Sequence, residues 1–180
     1  MSREGPTFWI TGAAKSGKTT LFKHLTQKES VFTVKSAVEF EGETISTRFF
    51  DATTARMGTK PMHEVDVVLI LLDLSSEKGL SDVTSILEDL KKVPNIKRLY
   101  LIGNKIDLVA DRKISENEAK SFADQHSMLY FEMSTLCNVQ VDETFEIIKE
   151  NTTCFIKDTR VVAYLSPSKT ASCLSNCCIL

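Results

Sequence analysis

At 180 residues, with 42% apolar and 26% charged residues, the chain is long enough to bury a sizeable core but too short for two full domains. That composition excludes disorder throughout, and a net charge of -2 with no basic stripe of interleaved aromatics sets nucleic-acid binding aside. No apolar run reaches the roughly 18 to 20 residues that a membrane-spanning helix needs. The opening Met1-Ser2-Arg3-Glu4-Gly5-Pro6 also lacks the core of a signal peptide, so the chain is expected to start in the cytosol. The five cysteines fit that compartment, because Cys137 and Cys154 stand alone while Cys173, Cys177 and Cys178 crowd the end in a pattern that disulfides explain poorly.

In chain order, the apolar run Phe8-Trp9-Ile10 predicts a strand that leads into Gly12-Ala13-Ala14-Lys15-Ser16-Gly17-Lys18-Thr19. This is a complete Gly-x-x-x-x-Gly-Lys-Ser/Thr phosphate-binding loop, and a helix through Leu21, Phe22 and Leu25 follows it directly. Unpaired backbone N–H groups and the positive end of a helix dipole both favour an anion at such a place. Gly12 and Gly17 let the backbone approach phosphate oxygens, Lys18 would reach the terminal phosphates, and the Thr19 hydroxyl would ligate Mg2+.

A polar stretch from Thr26 to Lys35 precedes two strand-like runs, Ala37 to Glu41 and Thr44 to Phe50, which predict a hairpin around Gly42. Asp51 to Met62 reads as irregular, with Gly58 and Pro61 as breakers. Val65 to Leu72 is nearly all apolar and predicts a central strand buried on both faces. Leu80, Val83, Ile86, Leu87 and Leu90 follow a helical period that Pro94 ends. A buried strand is expected at Leu99 to Ile102, a capping box at Ser115 to Glu118 opening a helix, a strand at Met128 to Met133, and a last helix from about Val141 to Phe155. The alternation predicts an α/β fold with a mostly parallel six-stranded sheet, one antiparallel edge strand and helices on both faces. Ligands then belong at the carboxyl ends of the strands.

A phosphate loop accepts any nucleotide, so the base must be chosen elsewhere. Asn104-Lys105-Ile106-Asp107, at a strand end, supplies the choice. The Asp107 carboxylate can accept hydrogen bonds from the N1–H and exocyclic amine of guanine, whereas adenine presents an acceptor at N1 and would leave it unpaired. Asn104 and the stem of Lys105 would brace the loop and cover the base, with Ser134-Thr135-Leu136 reaching it from the other side.

These motifs, with Phe131-Glu132-Met133-Ser134-Thr135 and Asn138 through Phe145, resemble a small GTPase of the Ras superfamily, most like the Rab branch. The resemblance covers residues 7 to 156 and the C-terminal cysteines. It implies the P-loop GTPase fold over residues 1–157, GTP and GDP binding with Mg2+, an exchange factor, and effectors that read two switch segments.

The chain departs from that pattern where the γ-phosphate is sensed. Asp51-Ala52-Thr53-Thr54-Ala55 stands in place of Asp-x-x-Gly-Gln: Asp51 can hold Mg2+ through water, but Thr54 replaces the glycine and Ala55 the glutamine that orients the attacking water. Ala14 stands where the family usually has glycine, crowding the space of a transition-state arginine or glutamine, so no catalytic residue is assigned and slow hydrolysis is expected. Thr33 is the candidate for a second Mg2+ hydroxyl, or else merely flanks a strand, and Phe32 is the candidate base-stacking aromatic.

Residues 158–180 read as a flexible, cysteine-rich tail ending Cys177-Cys178-Ile179-Leu180, which fits geranylgeranylation of Cys177 or a double-cysteine ending. One lipid gives only marginal anchoring and no polybasic patch is present, so a second lipid is expected on Cys178 or Cys173. The expectation is a monomeric, membrane-anchored switch in vesicle traffic. It would be served by prenylation machinery and lie on the cytoplasmic face of a membrane, with a cytosolic pool. The alternatives are a pseudo-GTPase acting as a constitutive docking module and, less well supported, a P-loop kinase.

Overall fold

The computed structural model describes residues 3–26, 33–40, 43–51 and 65–164, with side chains described over 6–25 and 65–152. In chain order the elements are β1 (Arg3–Gly12), α1 (Lys18–Thr26), β2 (Thr33–Phe40), β3 (Glu43–Asp51), β4 (Val67–Asp73) and α2 (Gly79–Leu90). They continue with β5 (Arg98–Asn104), a single 3-10 turn (Val109–Asp111), α3 (Glu116–Gln125), β6 (Leu129–Met133) and α4 (Val141–Tyr164). The sheet runs β2-β3-β1-β4-β5-β6. Every pairing is parallel except β2 with β3, so the early hairpin supplies the antiparallel edge.

The unbroken apolar run of β4 is explained by its two faces. Side chains alternate along a strand, and Val67, Leu69 and Leu71 pack with Phe8, Ile10, Leu21, Phe22, Val141 and Ile148 beneath α1 and α4. Val68, Ile70 and Leu72 turn the other way, to Trp9, Leu101, Val83, Leu87, Ala119 and Ala123 beneath α2 and α3. Each fully buried aliphatic side chain contributes about 1.5–3 kcal/mol, so the two-sided core holds the strand ends that carry polar residues.

Local signals set the element ends. Ser115 Oγ accepts the backbone N–H of Glu118 at 3.2 Å, fixing the start of α3 as the capping box predicts. Asp66, inside the run expected as strand from Val65, has its carboxylate occupied by the backbone N–H of Thr7 (2.9 Å) and the ammonium of Lys97 (2.5 Å), and β4 begins after it. Several strands are longer than their apolar cores suggested, because strand pairing continues into the flanking polar residues. β2 accordingly starts at Thr33, within the stretch expected to be polar connection. The last helix likewise runs to Tyr164 rather than ending near Phe155 before a tail at Asp158. No glycine or proline lies between Val141 and Tyr164, and the next breaker is Pro167.

Candidate nucleotide site

Parallel pairing brings the carboxyl ends of five strands to one edge. Gly12 closes β1 opposite Leu71, Asp51 closes β3 opposite Ile10, Asp73 pairs with Asn104, and Asn104 pairs with Met133. The phosphate loop, the Asn-Lys-x-Asp motif and Ser134-Thr135 therefore meet, although their positions span residues 12 to 135.

Within the loop, the Ser16 N–H bonds the Ala13 carbonyl at 3.3 Å, and Lys15 adopts a left-handed backbone at φ 63. Gly17 is left-handed too, at φ 103, and a Cβ there would strike the Asn104 amide and come within 2.9 Å of Thr135 Oγ1. Only glycine satisfies both demands. Lys18 is 5% exposed and donates to the Ala13 carbonyl at 2.5 Å, so its ammonium lies within the loop at the mouth of α1. Ser16 Oγ is wholly buried without a hydrogen-bond partner among the described residues. Backbone N–H groups, a nearly buried ammonium and a hydroxyl at a helix N-terminus form a donor set that fits a polyphosphate.

Asn104 ties the elements together. It is 1% exposed, and its Nδ2 donates to the Ser16 carbonyl (2.7 Å) and Thr135 Oγ1 (3.0 Å), while its Oδ1 accepts the Thr135 N–H (3.0 Å). Its amide thus braces the base loops against the phosphate loop. Ser134 Oγ donates to Asp107 Oδ1 at 2.5 Å and itself accepts the Cys137 N–H at 3.1 Å, leaving Asp107 Oδ2 available to read donors on a base. The 134–139 loop closes on itself through paired backbone bonds of 3.0 Å between Ser134 and Val139, and Leu136 at its tip is 80% exposed.

Lys105, at φ 72, sends its ammonium to Asp73 Oδ2 at 2.5 Å. Burial pushes the Asp73 carboxyl up, but hydrogen bonds from Lys105 and Ser75 and the Lys105 charge outweigh it and hold the group below its ordinary range. Asp73 did not stand out in the sequence. Its one signal was a carboxylate closing an otherwise apolar strand at the ligand-bearing edge.

Thr33 and Asp51 are placed by backbone alone: Asp51 ends β3 beside β1, and Thr33 starts β2 opposite Phe50, both toward this edge. Their side chains, together with Phe32, Thr54, Ala55, Cys173, Cys177 and Cys178, lie outside the described residues. Among the described residues no cluster of three or more His, Cys, Asp or Glu could hold a metal, and no helix is long and apolar enough to cross a membrane.

A phosphate loop and a base-reading loop joined across a parallel sheet define a nucleotide-binding α/β protein, and the chain belongs to the Ras family, which it matches over residues 8–153. The relatives that it resembles are Rab proteins. It is 37% identical over 79 residues to Ras-related protein Rab-2B of Dictyostelium discoideum, covering 43% of this chain and 39% of the relative. Ras-related protein Rab-11C of the same organism is 26% identical over 151 residues, 76% of this chain and 67% of the relative. Ras-related protein RabF1, also from Dictyostelium discoideum, is 24% identical over 94% of this chain and 95% of its own. The chain spans only 39% of Rab-2B and 56% of rat Rab-13 in those matches. Proteins of this family bind GTP and GDP, typically with Mg2+, and work through effectors and exchange factors.

Proposed function

We propose that this chain is a guanine-nucleotide switch of the Rab type that holds GTP far better than it cleaves it. What carries the reading is the Asp107 carboxylate, fixed by Ser134 at 2.5 Å beside loops that Asn104 fastens to the phosphate loop. Gly12 to Gly17 and Lys18 would hold the phosphates, Asp107, Ser134 and Thr135 the guanine, and Lys105 would flank the base from its anchor on Asp73. Thr19 and Asp51, with Thr33 as a second hydroxyl, would hold Mg2+, which neutralises charge on the phosphate oxygens when bound.

Slow hydrolysis rests on what the chain lacks. Ala55 has no group to orient water, Thr54 puts a side chain where the family's glycine N–H meets the γ-phosphate, and Ala14 narrows the space beside it. The cysteines at 173, 177 and 178 support lipid anchoring to the cytoplasmic face of a membrane and a role in vesicle traffic.

Nucleotide analysis of the purified protein, with affinities for GTP, GDP and ATP, tests the base choice. Tight GTP and GDP binding with ATP excluded is expected, and ATP binding of similar strength would refute it. Single-turnover hydrolysis at a rate typical of the family would remove the second half of the reading. Partner binding that is identical in the GDP and GTP-analogue states would argue for a constitutive docking module instead of a switch. Mass spectrometry of the protein from its own cells reads the lipids directly.

A further inference from the structure

At the edge of the sheet opposite the nucleotide site, the carboxyl ends of α2 and α3 and the start of β5 enclose a groove of about 470 Å3. Leu87 and Leu90 are buried in its floor, with Val93, Ile96 and Leu99 half-buried beside them. The segment that lines most of it, Lys91-Lys92-Val93-Pro94-Asn95-Ile96-Lys97-Arg98, holds four cations and no acidic residue, in a chain whose net charge is -2.

The carboxylates that meet these cations come from outside the segment. Lys91 and Lys92 pair with Glu88 and Asp89 of α2 at 2.6 and 2.9 Å, and Lys97 pairs with Asp66, just before β4, at 2.5 Å. The three lysine side chains are 68%, 76% and 38% exposed, and ion pairs that water reaches are weak enough for a phosphate to compete with them. A small anion held inside the groove would face the partly negative ends of two helices. The arrangement suits instead an anionic surface that meets several cations at the rim while the apolar floor takes up hydrocarbon.

The course of α4 indicates which surface that is. The helix starts at Val141, beside the nucleotide edge, and Thr152 Oγ1 already lies 3.1 Å from the hydroxyl of Tyr100, two residues into β5 from its start. Its backbone goes on to Tyr164, about 18 Å further at 1.5 Å per residue, so the chain leaves toward the same edge as the groove. Cys173, Cys177 and Cys178 follow from there. One lipid anchors only marginally, and a basic patch is the usual second signal. We propose that the groove and its 91–98 segment are that second signal: a contact for anionic phospholipid that turns this edge of the domain toward the membrane. The choice of a membrane as occupant rests on the anchored reading above.

The test uses the unlipidated full chain with vesicles of phosphatidylcholine alone or with about one phosphatidylserine in three, reading cosedimentation at low salt and backbone hydrogen exchange. Wild-type protein should bind the anionic vesicles about tenfold better than the neutral ones, with new protection in residues 91–98. Lys91→Gln with Lys92→Gln removes two exposed charges far from the nucleotide and should lower that binding about tenfold while leaving GDP retention and the thermal midpoint near wild type. Equal binding to both vesicles, unchanged binding by the double variant, or protection that spares 91–98 would overturn the contact. Equal protection of 91–98 by soluble glycerophosphoserine or by polyglutamate would also overturn it, in favour of a small-anion site or an acidic protein partner. Because the chain carries no lipid in this experiment, a failure strikes the groove and not the anchored reading, which mass spectrometry of the tail tests separately.

Discussion

The side-chain amide of Asn104 donates a 2.7 Å hydrogen bond to the backbone carbonyl of Ser16, fastening the base motif to the phosphate loop across 88 residues of sequence. The same side chain bonds Thr135 through both its nitrogen and its oxygen, so one buried residue holds three loops in register. Asn104→Ala would leave the Ser16 carbonyl and the Thr135 N–H unpaired in a buried site. It should cost about 2–4 kcal/mol of stability by chemical denaturation, and it should speed nucleotide release.

Gly17→Ala attacks the same junction from the other side. A methyl group there meets the Asn104 amide and Thr135 Oγ1, and alanine is strained at φ 103. Asn104 cannot withdraw without breaking its own bonds. The variant should therefore lose most GDP binding in equilibrium titrations and about 1–3 kcal/mol of stability.

Asp107→Asn should exchange one base for another. The amide can accept from N1–H and donate to the C2 carbonyl of xanthine, and Ser134 can still donate to the side-chain oxygen now on Oδ1. A fall of about a hundredfold in GDP affinity with a gain for XDP is expected in competition titrations, the scale at which an unpaired polar group discriminates.

The Lys105–Asp73 pair predicts a pH dependence of definite sign. Asp73 is held below its ordinary value of 3.8 when folded, so its contribution to stability is fully present above that pH and is lost as pH falls through the lower folded value. Asp73→Asn should be less stable than wild type at neutral pH, and the gap in urea midpoint should close in the acid range below 3.8. A gap that stays constant with pH would contradict the assignment.

If hydrolysis is slow for the reason proposed, supplying the family's residues at 54 and 55 should raise turnover. Thr54→Gly with Ala55→Gln supplies the glycine backbone and the water-orienting amide, and single-turnover GTP hydrolysis should rise by about tenfold or more while GDP affinity stays nearly constant.

By itself the sequence determined the phosphate loop and the parallel α/β fold and supplied the proposal of guanine, because each rests on local chemistry at short spacing. The apolar run of β4, the capping box at Ser115 and the Asn-Lys-x-Asp turn needed no knowledge of distant residues. The departures at Ala14, Thr54 and Ala55 were legible in the same way, as missing groups at positions set by a motif. Only the tertiary structure decided how the site is held. Asn104 is spent on bracing, Lys105 is anchored to Asp73, and Asp107 shares its carboxylate with Ser134. The two-pronged ion pair of Arg112 with Glu132 was equally hidden. These partners stand 20 to 88 residues apart, and it is strand pairing and two-sided burial, rather than anything local, that brings them within hydrogen-bond reach.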